Sequence, residues 1–177
     1  MPQSVNKEGI LTESEDEFRK SDVWKNVSET HLKTHPFCLA CGCRLLAGQL
    51  IVHHKYPYQL CNAVGRADLV YDDRNLITLC DGIGSEEHHL LLGHLGDWSS
   101  YNPEAITDAT TTFFQKKSAY IRSNELWLSK RNNKPSSLEE MNETEMNTLK
   151  IKLDLVYPRR SFEEERIKIA IQKAIYK

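Results

Sequence analysis

Two cysteines separated by two residues, Cys38 and Cys41, form the first feature of the sequence that could do chemistry. This spacing lets two thiolates bind one tetrahedral ion, and Gly42 permits the tight turn that follows. A closed zinc site needs two further soft ligands. Cys80 and His88 come later in the chain, and the simplest closure is a structural zinc ion held by Cys38, Cys41, Cys80 and His88.

Two other cysteines have different expected roles. Cys43 could replace one of the zinc ligands, but we expect it to pack as a small apolar residue. Cys61 has no partner in the sequence, and we expect it to be buried. An odd count of 5 cysteines, behind an N-terminus without an apolar signal segment, favours reduced thiols or metal ligands over a disulfide framework. The same features predict a cytoplasmic protein.

A set of histidines forms the second chemical feature. His53 and His54 end a predicted strand, whereas His89 and His94 fall on a predicted helix. Adjacent residues on a strand point to opposite faces, so His53 and His54 must have different roles. His89 is rotated about 100° around the helix from His88 and can therefore face a different ion. The pattern predicts an open metal site, suited to chemistry, beside the closed zinc site.

Two strands and a helix are needed to position these residues. The sequence predicts strands over residues 49–54 and 76–80, with a connection of about 20 residues between them. A helix is predicted over residues 86–95, and a long helix over residues 103–128. Residues 149–157 fit either a strand or a helix.

The composition divides the chain into three parts. An N-terminal arm is expected over residues 1–19, a central domain with flanking helices over 20–130, and a mainly helical extension over 138–177. The last predicted helix carries a stripe of isoleucines, which is a candidate surface for a homodimer or a partner protein. Its members are Ile167, Ile171 and Ile175.

Taken in order, these motifs resemble the HNH endonucleases, a family with a ββα-metal fold and zinc knuckles. The similarity is closest to small phage- and bacterial-type members. It implies an α+β protein with a ββα-metal, treble-clef-like core, flanking helices and a helical C-terminal extension. The matching segments, which span roughly residues 20–115, are Cys38-x2-Cys41-Gly42, LIVHH at 50–54, NLITLC at 75–80, His88-His89 and GHLGDWSSYNP at 93–103.

The resemblance also implies a role for each matching residue. His54 corresponds to the general base that takes a proton from the attacking water, and Asn75 to the residue that fixes the loop and so orients His54. His53 and His89 correspond to ligands of a catalytic divalent ion, expected to be Mg2+ or Mn2+. His94 is a further candidate ligand or phosphate contact. The implied activity is hydrolysis of DNA phosphodiester bonds.

The second zinc knuckle departs from the family pattern. It is usually C-x2-C-H, whereas here seven residues separate Cys80 from His88, and a histidine replaces the fourth cysteine. Either His88 or Cys43 could therefore be the fourth zinc ligand. The predicted catalytic residues do not depend on that choice.

Charge is distributed unevenly, although the formal net charge is only −2. Residues 36–113 carry 4 basic and 9 acidic groups, whereas residues 114–134 carry 6 basic groups and 1 acidic group. A charge run is usually a solvated face, but beside a phosphodiesterase site it is equally a candidate for contacts with the DNA backbone. The candidate contacts are Lys116, Lys117, Arg122, Lys130 and Arg131.

Some alternatives remain open at this point. A zinc-stabilised module that binds DNA or docks to a protein without catalysis would also contain a zinc knuckle, although the joint presence of His54, Asn75 and His89 disfavours it. His31 and His35 could bind a metal at their helical spacing, but packing is favoured. No uncharged stretch approaches the roughly 20 residues needed to span a bilayer, so no membrane partner is expected.

Overall fold

The computed structural model describes residues 14–44 and 49–160. Two helices begin this part of the chain, α1 (Glu15–Lys20) and α2 (Asp22–Thr34). Ser14 and Glu17 form a reciprocal capping box at the start of α1, which satisfies two amide groups that a helix leaves without partners. α2 ends shortly before Pro36, whose ring disfavours helical backbone in the preceding residue.

A two-stranded antiparallel sheet lies at the centre of the described chain. The strands are β1 (Leu50–His54) and β2 (Leu76–Cys80), with His53 opposite Ile77 and His54 opposite Leu76. Both predicted strands are confirmed, and β2 has the predicted bounds. The connection between them contains α3 (Tyr58–Ala63) and two short 3-10 turns at Ala67–Val70 and Asp73–Asn75.

The helix predicted over residues 86–95 is shorter than expected. Glu87 adopts a left-handed backbone conformation with φ of 50°, which interrupts a right-handed helix. The helical segment that follows includes a π-helical turn at His89–Gly93. The side chains of Trp127 and Asn102 donate hydrogen bonds of 2.9 Å and 2.8 Å to the carbonyls of Leu91 and Leu92 in this turn.

The prediction of one long helix over residues 103–128 is wrong. The segment contains α4 (Ala105–Thr107), a π-helical turn at Asp108–Thr112, α5 (Ser118–Ser123) and α6 (Glu125–Asn132). Gln115 breaks the helical path with φ of 56°. Asn124 caps α6 with its side-chain oxygen and so begins a new helix.

Residues 149–157, which fitted a strand or a helix, belong mostly to helix α7 (Glu143–Val156). α7 is tied to the β1–β2 connection by Arg66, whose guanidinium is fully buried. Arg66 donates to Asp154 over 2.9 Å and to the carbonyl of Tyr157 over 2.7 Å. The predicted isoleucine stripe of the last helix lies outside the described residues.

Two hydrophobic clusters support the sheet. The first joins α1, the β1–β2 connection and α7, and includes Phe18, Leu69 and Leu153. Phe18 is thus a core residue, although the predicted arm of residues 1–19 contains it. The second cluster packs Leu79, Leu91 and Trp127 beneath the π-helical turn at 89–93. Together these elements form an arrangement of helices and a small sheet, consistent with the predicted α+β class.

No helix in the described part of the chain combines the length and the apolar character needed to cross a membrane.

Candidate metal centres

Three histidines converge on one side of the sheet. His53 comes from β1, and His89 and His94 lie at the beginning of the π-helical turn and just after its end. One ring nitrogen of each lies within 4.8 Å of those of the other two. The ring centroids are 4.7 Å apart for His53 and His94 and 4.9 Å apart for His89 and His94. We call these three residues the histidine triad.

The π-helical turn explains the spacing of five between His89 and His94. On an α-helix, residues five apart point in clearly different directions. A π-helix closes its turn over five residues, which brings both imidazoles to the same side. Local π-helical turns occur frequently at functional sites. The turn therefore makes a triad from residues that regular helical spacing would separate.

Fixed hydrogen bonds orient two of the three rings. His89 donates from Nδ1 to Oδ2 of Asp81 over 3.0 Å, and His94 donates from Nδ1 to the carbonyl of Ser100 over 2.8 Å. These bonds set the tautomer in which Nε2 carries the lone pair. Metal-ligating histidines typically bond a carboxylate or a carbonyl in this way through the nitrogen that does not bind the metal.

The third ring, that of His53, is buried and only 6% exposed. Its Nε2 has no hydrogen-bond partner within the described residues. A buried polar atom without a partner is costly, and a bound metal ion would satisfy it. The donor set therefore fits a metal.

Burial lowers the pKa of all three imidazoles. For His53, the neighbouring rings of His94 and His89 add to this effect. The pKa of His94 falls to about 4. The pKa of His89 is also lowered, although Asp81 acts in the opposite direction. The triad is therefore neutral near pH 7, which is the state in which imidazole binds a metal.

The type of donor bears on the type of ion. Imidazole suits zinc and neighbouring transition metals, whereas Mg2+ prefers oxygen ligands. The carboxylate of Asp81 is hydrogen-bonded to His89 and so acts on its ring from outside the donor set. The three-nitrogen set does not support the expected Mg2+ or Mn2+ and favours a zinc-type ion with an open coordination position.

His54 points away from the triad, as alternation along β1 requires. Its ring stacks on Trp24 with centroids 4.6 Å apart, and its Nε2 donates to the carbonyl of Val70 over 2.9 Å. This bond leaves Nδ1 as the basic nitrogen. Burial lowers the pKa of His54 to about 4, so the ring is neutral at pH 7.

Asn75 is fully buried and ties together the two ends of the β1–β2 connection. Its Nδ2 donates to the carbonyls of Tyr56 and Leu69 over 3.0 Å and 3.1 Å, and its Oδ1 accepts from the amide of Tyr56 over 2.9 Å. Leu69 precedes Val70, whose carbonyl holds His54. Asn75 is thus hydrogen-bonded to the loop between the strands.

Four cysteines form a second candidate centre. The sulfur atoms of Cys38, Cys41, Cys43 and Cys80 all lie within 4.8 Å of one another, a group that could bind zinc. Cys43 belongs to this group, whereas the sequence favoured a packing role for it. Hydrogen bonds from Cys38 and Cys41 lower the pKa of Cys80, while Cys41 and Cys80 raise the pKa of Cys38. A bound cation would favour the thiolate form of these cysteines.

His88 lies beside this cysteine group. Its Nδ1 is 3.3 Å from Sγ of Cys80 and 3.6 Å from Sγ of Cys38. Its Nε2 donates to the carbonyl of Lys116 over 3.0 Å. The structure therefore brings five donors together where tetrahedral zinc takes four. Cys61 does not belong to this group. It is buried, as expected, and its thiol donates to the carbonyl of Tyr56.

The predicted DNA-contacting residues do not share one helix, because the long helix is broken. Lys130 is bonded to Asp108 and Glu104 over 2.6 Å and 2.7 Å, and Asp108 is fully buried. This pairing makes Lys130 a structural residue. Arg122 pairs with Glu87 over 2.8 Å. Lys116 and Arg131 lie over the rings of Tyr120 and Trp127, and Lys117 is exposed.

His31 and His35 pack together, as the sequence favoured. Their rings stack with centroids 4.3 Å apart at the end of α2, and His31 is buried.

Sequence reasoning missed three residues around the triad. Gly93 lies directly against the His53 ring, and Trp98 lies beside His89 and His94. Arg19 of α1 lines the same groove as His94 and Trp98. Gly93 and Trp98 lie in the segment 93–103 that carries the resemblance, but no role was predicted for either. Trp98 and Arg19 come close to the triad only through the tertiary fold.

Comparison of this chain with protein-family models, with curated proteins and with solved structures finds no match.

Proposed function

We propose that this protein is a metal-dependent endonuclease of the HNH type that hydrolyses DNA phosphodiester bonds. The observation that carries the proposal is the histidine triad, whose three imidazoles converge while hydrogen bonds fix two of them. In this interpretation β1, β2 and the helical segment from His88 to Gly93 are a ββα-metal core. The proposal assigns the histidine, asparagine and histidine positions of the sequence resemblance to His54, Asn75 and His89.

The proposed mechanism divides the work between the two adjacent histidines at the end of β1. His53, together with His89 and His94, would hold a zinc-type ion, which would stabilise negative charge on the scissile phosphate. His54 accepts a proton at Nδ1 from the attacking water, because its Nε2–H is engaged by Val70. Asn75 is a positioning residue, since it fixes the loop that carries the Val70 carbonyl.

The cysteine centre has a structural role in this proposal, with His88 rather than Cys43 as its fourth ligand. Zinc–ligand distances of about 2.3 Å for sulfur and 2.0 Å for nitrogen give tetrahedral edges of about 3.8 Å between sulfurs and about 3.5 Å between sulfur and nitrogen. The contacts of His88 match the second value. The sulfurs of Cys41 and Cys43, in contrast, are only 3.0 Å apart, which is shorter than the edge of about 3.8 Å between two sulfur ligands of one zinc ion.

The test is cleavage of supercoiled plasmid by the purified full-length chain, with Zn2+, Ni2+, Mn2+, Mg2+ or EDTA. We expect nicking or linearisation that needs a metal and is lost by a factor of at least about 100 in His54→Ala. The exposed histidine variant His35→Ala is the matched control and should cleave normally. Equal products from wild type and His54→Ala would contradict the assignment of the base.

The alternative function is a zinc-stabilised module that binds DNA or a partner protein without cleaving it. The cysteine group alone would support it. The histidine triad favours the enzyme, because a purely structural role gives no reason to bury an imidazole nitrogen without a partner. Metal binding at the triad without cleavage under any of the conditions above would favour the module.

A further inference from the structure

Trp98 is an exposed aromatic residue beside the histidine triad. Its side chain remains 57% exposed, with the indole 5.2 Å from the ring of His89 and 4.9 Å from that of His94. Tryptophan is enriched at binding surfaces, because its ring offers a large apolar face and its N–H a polar contact. The role proposed above for the triad leaves this indole without a function.

The turn that carries Trp98 is held in place by hydrogen bonds on both sides of it. Ser100 donates from Oγ to the carbonyl of His94 over 2.5 Å and from its amide to the carbonyl of Asp97 over 2.9 Å. The side chain of Asp97 accepts from the amide of Ser99 and pairs with Lys134. These bonds present the indole in a defined position, so little ordering is needed when a ligand binds.

A groove of about 360 Å³ begins at Trp98 and His94. Arg19 of α1 lines it as well, together with Leu60 and Tyr101. This volume is within the range of sites that bind small organic groups. The lining combines an aromatic face and apolar side chains, which can contact a base, with the cationic groups of Arg19 and Lys134, which can pair with phosphate. The carboxylates of Glu15, Glu139 and Glu140 also line the groove, so the phosphate must bind on the side of Arg19 that Glu15 leaves exposed. We call this feature the Trp98 groove.

Arg19 is held at the groove rather than free in solvent. Its Nε and Nη2 donate to Oε1 of Glu15 over 2.8 Å and 2.5 Å, and Gln59 binds the other oxygen of Glu15. The side chain is nevertheless 61% exposed.

Building on the nuclease activity proposed above, we infer that the Trp98 groove binds an unpaired nucleotide of the DNA next to the scissile phosphate. The base stacks on the indole of Trp98, and Arg19 pairs with a backbone phosphate. Stacking on an aromatic ring is tolerant of sequence because every base has a π face. The groove thus selects locally unpaired or single-stranded DNA rather than a particular base.

Two oligonucleotides of equal charge separate stacking from phosphate binding. One is a fluorescent 12-mer of thymidine, and the other is a 12-mer of abasic sugar phosphates. Binding is measured by anisotropy with the full chain carrying His54→Ala, and gels confirm that the DNA stays intact. We expect the thymidine strand to bind roughly tenfold more tightly than the abasic strand. Trp98→Ala should abolish this preference, and Trp98→Phe should retain most of it.

Arg19→Gln should weaken both strands by similar factors. It should also reduce the slope of log affinity against log salt by about 0.7, as expected for the loss of one phosphate contact on a single strand. Phe37→Ala is the matched control, because Phe37 is 48% exposed and lies outside the groove. This control should keep both the affinity and the preference for bases.

Intrinsic fluorescence gives an independent measurement. Of the three tryptophans, Trp127 is buried and Trp24 is half-buried against His54, so the part of the quenching by the thymidine strand that Trp98→Phe removes is assigned to Trp98. A Trp98→Ala chain that still prefers the thymidine strand by the wild-type factor would overturn the groove assignment. If Trp98→Ala keeps this preference while the wild type cleaves plasmid as proposed, only the groove assignment is refuted. Stacking without plasmid cleavage by wild type would refute the nuclease and, with it, the link to a scissile phosphate.

Discussion

The imidazole of His53 packs directly on the backbone of Gly93. A Cβ atom at position 93 would lie 3.0 Å from Cε1 of His53 and 3.1 Å from Nε2, both tighter than ordinary van der Waals contact. Only glycine therefore leaves room for this ring in its present position. The contact connects β1 to the π-helical turn and fixes where the buried nitrogen of His53 lies relative to the other two imidazoles.

Gly93→Ala should consequently displace His53 from the triad. The backbone at Gly93 does not need a left-handed conformation, so the effect is steric. We expect a loss of about 1–3 kcal/mol in the free energy of unfolding from overpacking, with a larger relative effect on metal binding. Urea unfolding and calorimetric metal titration measure the two effects. Unchanged metal affinity in a folded Gly93→Ala chain would show that the position of His53 is not set by this contact.

Asp81→Ala should weaken metal binding at the triad without removing a ligand. Asp81 orients His89 through the 3.0 Å bond to Nδ1, and loss of such a partner typically costs 10- to 100-fold in metal affinity. The measurement is competition for Zn2+ against a chromophoric chelator. Glu29→Gln, at an exposed position on α2, is the control and should bind like wild type. An Asp81→Ala affinity within about twofold of wild type would argue against a ligand role for His89.

A comparison of two variants, one at His88 and one at Cys43, identifies the fourth ligand of the cysteine centre. His88→Ala should lower both the bound zinc at this centre and the melting temperature, because closed zinc sites contribute directly to folding. Cys43→Ser should retain zinc and change the melting temperature little. Elemental analysis and thermal unfolding of both variants give the answer. The opposite pattern would assign Cys43 as the fourth ligand.

Lys130 is expected to contribute to stability rather than to DNA binding. Its removal in Lys130→Ala leaves Asp108 buried without its main cationic partner, which should cost about 3 kcal/mol or more in the free energy of unfolding. Lys117→Ala, at an exposed position, should leave stability within about 0.5 kcal/mol of wild type. Denaturant unfolding compares the two. Equal stability of both variants would contradict the structural assignment of Lys130.

The sequence predicted those parts of the fold that depend on local pattern. Apolar runs that end in histidine or cysteine identified both strands, and alternation on β1 separated the roles of His53 and His54. The prediction of one long helix failed for two reasons. Gln115 breaks the helix with a left-handed backbone, and Asn124 begins a new helix with its side-chain cap, and hydrophobic periodicity reports neither feature.

The sequence identified the candidate metal ligands but not how they are arranged in space. Spacing alone did not place His94 with His89, because the π-helical turn that aligns them has no simple sequence signal. Arg19 and Trp98 are about eighty residues apart and share a groove only after folding. The preference for a zinc-type ion likewise follows from three converging nitrogens, which only the tertiary structure brings together.

A second, open metal centre at the triad would double the zinc content that the cysteine centre alone gives the chain. Zinc-loaded full-length chain, freed of loosely bound metal, should contain about two zinc ions per chain by elemental analysis, one at each centre. His53→Ala combined with His94→Ala should contain about one, while His35→Ala should still contain about two. A wild-type content of one ion, unchanged in the double variant, would contradict the account.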